Sequence, residues 1–487
     1  MSTVDPGSEM PAPAAPAVES AGRSSAGFGL TTATALIVGS IIGVGIFNLP
    51  TSLATYGPIS LVSMALTTVG ALALALLFAS LSRRLPADGG PYAYARVAFG
   101  NAIGFVNAWS YWITAWAGNA AIAVGWVLYV EVFINKGHQK GITILLVLVG
   151  LWVPALINLS GVKNMGAIQL LTTVLKFVAL AFIATVGLFY VQRANYSPFN
   201  VSGQSTIAAI GGGMAIALFS YLGVETASVA ASKVRDPDRN VPRSTILGTL
   251  ATAVVYLLSL TAVFGILPTS TLATASAPFS DAANAIFGGT WAGNVMAAAV
   301  IISGFGALNG WTMICAEMPL AAARDGLFPA RFESMSSRGV PAFGIIASTA
   351  LASVAILVNY VGTGGANAFT TLVLMSGITA AVPYGFSALA QLKWRLADNR
   401  ALQTPRFIRD VVVAVLALVF SVLFIVYSRN TGAGHGLLYA LRTHNWHGVF
   451  AYWAPFVLAG GALLLGIPVY RSQRSRMTEP APVPPYR

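Results

Sequence analysis

The chain has 487 residues and a formal net charge of +12, yet only 9% of its residues are charged and 56% are hydrophobic; its mean hydropathy is +0.74. That composition excludes a soluble domain and predicts a polytopic membrane protein, so the positive charge reads as loop charge at a bilayer and not as a nucleic-acid surface. The single cysteine, Cys315, falls inside an apolar run, which excludes a disulfide framework and a thiolate metal cluster.

Residues 1–27, rich in Ala, Pro, Ser and Gly without an apolar core, read as a disordered tail and not as a signal peptide. About 12 apolar runs long enough to cross a bilayer follow, near 30–52, 57–82, 100–133, 140–160, 165–191, 205–231, 244–267, 284–320, 341–361, 366–394, 410–428 and 448–470. The third, eighth and tenth exceed one bilayer thickness and are expected to tilt or to extend beyond it. The Pro-rich end, within 472–487, reads as a second tail.

Of the 27 Lys and Arg, only Lys136, Lys140, Arg193, Arg429 and Arg442 fall in the outer connections if the N-terminus is inside, and Lys176 lies within a span. The rest crowd the inner connections, which by the positive-inside rule places both termini in the cytoplasm of a cell (inner) membrane protein. All four histidines fall in or beside outer loops, and nothing resembles a nucleotide-binding loop, a Ser-His-Asp set or a zinc motif. An enzyme or channel would need a catalytic cluster or a polar pore lining, and the spans have neither, so no cofactor, no resident metal and no catalytic residue are expected.

The first span contains "GSIIGVGIF", Gly39 to Phe47. Gly39-x-x-x-Gly43 fits a close helix contact, and it fits equally a helix broken at mid-membrane. The sixth span, "GGGMAIALFSYLGVETASVAAS", carries Gly223 in its middle with Glu225 two residues on. Paired breaks five helices apart are how many secondary transporters bind cargo. Unwinding frees amides at one half-helix start, where the dipole attracts a carboxylate, and carbonyls at the other, which accept from an ammonium. Glycine lets the ligand approach the backbone.

The stretches "GSIIGVGIFNLP", "GGPYAYARVAFG", "YLGVETASVAASKVRDPDRNVPRSTILG", "GWTMICAEMPLAAARDGLFP" and "AVPYGFSAL", in this order over about residues 28 to 470, closely resemble the amino acid-polyamine-organocation (APC) transporter superfamily, in particular its basic amino acid and polyamine antiporters of the arginine/agmatine type. The resemblance implies an all-α fold with a five-plus-five inverted repeat (helices 1 to 10, residues 28–400), discontinuous helices 1 and 6, two further helices (401–471) and alternating access. It implies that amides around Gly43, Val44 and Gly45 hold a substrate carboxylate and that carbonyls of Ile41, Phe219 and Leu222 take the amino group. Phe219 stands where those exchangers have a stacking tryptophan, Trp311 matches their aromatic wall, Asn119, Ile122 and Ser376 match the side-chain pocket, and Tyr111 and Tyr384 match gate residues. Read as residues alone, Phe219 and Trp311 fit packing equally well, Asn119 an interhelical hydrogen bond, and Ser376 a bond to its own helix. Ser40 and Val44 replace an asparagine and a serine of the exchangers, and Phe219 stacks a cation more weakly than tryptophan does.

Two ionisable residues lie deep within spans, where a charge is costly and points to function. Glu225 is a candidate proton site, because burial favours a neutral carboxyl and a cationic substrate an ionised one. Lys176, about ten residues into the fifth span, resembles the lysine of proton-coupled permeases in the superfamily, whose ammonium replaces a sodium ion between helices 1 and 8. Glu317 reads as a structural partner of Arg324. The expected activity is exchange of a basic amino acid or related amine with proton linkage, and proton-coupled symport of neutral or broad-range amino acids is the alternative; the resemblance also admits a homodimer.

Overall fold

Apolar runs of this length form helices because a bilayer offers backbone groups no other partner. The computed structural model describes residues 29–85, 89–161, 165–226, 234–362, 365–398, 405–431, 442–444 and 446–483. The tail expected over 1–27, the inner-loop residues Lys163 and Lys233, His435 and Arg487 lie outside them.

Among the described residues there is no β-strand, and eleven helices are long and apolar enough to span. The expected sixth span is represented by the shorter Thr206–Tyr221. The elements are α1 (Leu30–Ile41), α2 (Gly45–Ala54), α3 (Ser60–Arg84), α4 (Pro91–Phe99), α5 (Asn101–Val130), α6 (Lys140–Leu159), α7 (Met165–Thr185), α8 (Thr206–Ala217), α9 (Pro237–Ile266), α10 (Pro278–Phe287), α11 (Trp291–Arg324), α12 (Ala342–Gly362), α13 (Gly365–Ala397), α14 (Pro405–Tyr427), α15 (Trp446–Leu464) and α16 (Gly466–Gln473).

Helix α5 is the axis of the bundle: 94% of its apolar window is buried, against 28% for the span formed by α15 and α16. A helix apolar all round belongs in a core, so the polar groups of α5 face protein, not lipid. It packs against α13, α11, α6 and α4. The chain departs from the expected runs at two places. "PYAYARVAF" is a separate helix, α4, begun by Pro91 at the first helical position. The eighth run starts at Trp291 and not near 284, because Gly288 and Gly289 turn the chain through positive φ (74° and 69°) and Asn284 Oδ1 accepts from the Gly293 amide at 2.7 Å.

One face carries an ion-pair layer. Arg84 forms two bonds to Asp398 at 2.7 and 2.8 Å, Arg395 pairs with Asp410, and Arg96 pairs with Asp325 at 2.7 Å. The stretch after α16, expected to be a free tail, is anchored here: the Thr478 carbonyl accepts from Arg96 at 2.8 Å and from Asn101 at 2.9 Å, and its amide donates to the Asp325 carbonyl at 3.2 Å.

Candidate functional site

The first span breaks where its glycines predict. The last α-helical bond of α1 runs from the Ile42 amide to the Val38 carbonyl at 2.8 Å, and the next amide, Gly43, turns back to the Ile41 carbonyl at 2.9 Å. The carbonyls at the end of α1 thereby lose their helical partners. Two are re-satisfied from other spans: Lys176 Nζ, with no exposed surface, donates to the Gly39 carbonyl at 2.9 Å, and Tyr256 Oη donates to the Ile41 carbonyl at 3.0 Å. An ammonium at a helix C-terminus is also favoured by the macrodipole. On the other side of the break, the amides of Val44, Gly45 and Ile46 lead into α2 with no preceding turn to bond, which is the geometry of an anion site.

The sixth span breaks against the first. After Ala217 the chain tightens to a 3-10 turn (Leu218–Tyr221) and then turns at Leu222–Glu225. Gly223 has φ +105°, and a Cβ there would lie 2.9 Å from the Ser40 carbonyl carbon and oxygen, so only glycine lets the two broken backbones meet. The Phe219 ring covers the start of α2: a Cβ on Gly45 would lie 2.7 Å from it. Ser40, Ile41, Gly43, Gly45, Ile122, Phe219, Leu222 and Trp311 surround a cavity of about 10 Å³, room for about one water molecule. A space of that size is too small for an amino acid, so the arrangement is closed, with the Phe219 ring against Gly45.

Val44 lies at the start of α2 and receives a bond to its carbonyl from Asn48 at 3.2 Å. Asn119 and Ser376 are near the cavity but turned into interhelical bonds. Asn119 Nδ2 donates to Thr312 Oγ1 at 3.2 Å, while its buried Oδ1 has no partner among the described residues. Ser376 donates to the Thr114 carbonyl at 3.0 Å, across to α5 and not within its own helix.

Glu225, fully buried, accepts from Tyr111 at 2.7 Å on one oxygen and from Tyr384 at 2.6 Å on the other. The two tyrosines expected at gates thus clasp one carboxyl beside the second break, joining α5, the sixth span and α13. Lys176 reaches the first span as expected. The approach to the eighth is made one turn away, where Thr172 packs on Gly306, whose added Cβ would lie 2.2 Å from Thr172 Oγ1. Among the described residues no carboxylate is paired with Lys176. Tyr256 is the participant sequence reasoning missed; its only signal is a tyrosine hydroxyl within the apolar "AVVYLLSL".

A helical bundle in which two broken spans face each other at a buried polar centre is the build of a secondary transporter. A family model described as amino acid permease matches residues 28–452, and the chain belongs to that family. It is 31% identical over 412 residues to a putrescine transporter of Haemophilus influenzae, covering 84% of this chain and 93% of that one. It is 29% identical to a cadaverine/lysine antiporter of Escherichia coli (76% and 84% covered) and 30% identical to an arginine/ornithine antiporter of Pseudomonas aeruginosa (80% and 83%). A manganese transporter of Eremococcus coleocola superposes over 92% of this chain and 95% of its own with TM-score 0.56 at 13% identity, a likeness of fold alone. Among the described residues no group of three or more His, Cys, Asp or Glu is placed to hold a metal ion.

Proposed function

We propose that the chain exchanges a basic amino acid or its related amine across the inner membrane by alternating access, with both termini cytoplasmic. The observation that carries this reading is the meeting of the two breaks, Gly223 against the Ser40 backbone, with the first amides of α2 beside them. Those amides would take a substrate carboxylate, and the Phe219 and Leu222 carbonyls the amino group. The Ile41 carbonyl already accepts from Tyr256 and Gly43, so it would serve only if one of these yields. Trp311 would face the distal end of the substrate; a cation on that ring gains roughly 0.5–2 kcal/mol. Relatives named for putrescine, cadaverine, lysine, arginine and ornithine support a substrate with a distal cation.

Glu225 would carry the proton linkage, with Tyr111 and Tyr384 as the donors that hold its ionised form. The five-plus-five inverted repeat, with Gly43 and Gly223 at equivalent breaks, belongs to this reading, and a homodimer is compatible with a site built within one chain. A second reading, proton-coupled symport, is favoured by Lys176, whose ammonium ties the first break where a coupling cation would act.

Uptake of labelled arginine into proteoliposomes separates the two. Exchange predicts uptake only into vesicles preloaded with arginine, ornithine, lysine or agmatine. Uptake into empty vesicles that follows an inward proton gradient supports symport, and no arginine uptake under either condition overturns the basic substrate.

A further inference from the structure

A second cavity, of about 310 Å³, opens at the end of α3 between α9, α13 and α14, away from the helix breaks. Its mouth carries Arg83, Arg84, Arg239 and Arg409, and the rest of its lining is the apolar floor of Leu76, Ala79, Ile246 and Val413 together with Asp410 and the Gln391–Ser80 pair, bonded to each other at 2.9 Å. The acidic groups at this mouth are engaged: Asp398 is held by Arg84 and Arg395, and Asp410 by Arg395 and Arg409. Among the described residues Arg83 and Arg239 have no carboxylate partner, and both are exposed. Unpaired guanidiniums beside others already neutralised leave a local positive field, whose natural complement is a phosphate with its planar acceptor edges.

The surroundings choose the source of that phosphate. From Leu76, which lines the cavity and is itself exposed at its edge, the apolar surface continues outward along the same spans through Val69 on α3, Leu250 on α9, and Val412 and Leu416 on α14. Exposed apolar residues on a spanning helix face acyl chains. A basic mouth at the membrane face, with an apolar seam leading away along the span, matches a molecule with an anionic head and hydrocarbon tails. We propose that this cavity binds the headgroup of an anionic phospholipid, with its tails laid along α3, α9 and α14.

The test uses the full-length protein, delipidated in mild detergent and incubated with phosphatidylglycerol, phosphatidylcholine or inorganic phosphate, with bound molecules counted by native mass spectrometry. The expected result is retention of phosphatidylglycerol over phosphatidylcholine, undiminished by millimolar inorganic phosphate, and reduced on the order of tenfold in the Arg83→Gln/Arg239→Gln double variant. Arg471→Gln/Arg474→Gln, which removes the same charge elsewhere, is expected to retain the lipid. Ala79→Leu, which fills the floor without touching charge, is expected to lose it and guards against misfolding of the double variant. Equal retention by all variants overturns the proposal, and displacement by inorganic phosphate assigns the cavity to a free anion instead.

Discussion

Glu225 has no exposed surface, and each of its oxygens accepts from a tyrosine hydroxyl. Leaving a buried polar oxygen without its donor costs about 1–3 kcal/mol, so Tyr111→Phe and Tyr384→Phe are each expected to lower the unfolding temperature in detergent. Because the two share one carboxyl, the double variant is expected to depart from additivity; additive losses would mean that the tyrosines act independently. Glu225→Gln keeps a polar group between the same hydroxyls and is expected to retain exchange while losing its dependence on pH, read as counterflow across a pH series. Glu225 was legible in the sequence as a carboxyl beside a broken helix. Its clasp was not, because Tyr111 and Tyr384 lie 114 and 159 residues away and local periodicity carries no information on which hydroxyl meets which carboxyl. Asn119 makes the interhelical bond that its residue type suggested, whereas Ser376 bonds across to α5 and not to its own helix, a choice made by bundle packing.

Among the elements, the two broken spans depend on particular glycines. At Gly223 a side chain would meet both a positive φ and the Ser40 backbone, neither of which can give way cheaply. Gly223→Ala is expected to cost about 1–3 kcal/mol, read as a fall in unfolding temperature. Gly460→Ala and Gly461→Ala, in α15 where an added Cβ meets nothing within 4 Å, are expected to leave it unchanged or raise it slightly. Equal effects at all three would remove the argument that the breaks are held in contact. Both breaks were readable from glycine placement within apolar runs. The division of the eighth run was not, since Asn284 lies in an amphipathic stretch continuous with it, and only the Gly288–Gly289 turn with the Asn284 bond to Gly293 separates α10 from α11.

Across the whole molecule, a buried central α5 is set against α14 to α16 at the periphery, whose apolar windows are far less buried. The apolar runs predicted the order and rough bounds of the spans, because bilayer thickness imposes span length; which span would be central was not readable from them. Outside the bilayer, length carries no such constraint, and a further contact there was missed. The segment after α16 docks on Asp325, Arg96 and Asn101 through the Thr478 backbone. A chain ending at Arg474 is expected to unfold a few degrees lower in detergent, since it loses the bonds that the Thr478 backbone makes with Arg96, Asn101 and Asp325; an unchanged transition would mark the docking as energetically idle.

The proposed exchange requires that the start of α2, under the Phe219 ring, receive the substrate carboxylate. The measurement that tests it is arginine binding to the purified protein by calorimetry, comparing the wild type with Gly45→Ala, each checked for its unfolding transition without ligand. A methyl group at Gly45 would lie 2.7 Å from Phe219 and stand between ligand and amides, so a fold that stays intact with affinity reduced at least tenfold is predicted. Wild-type affinity in the folded Gly45→Ala protein would place the substrate elsewhere and contradict the account.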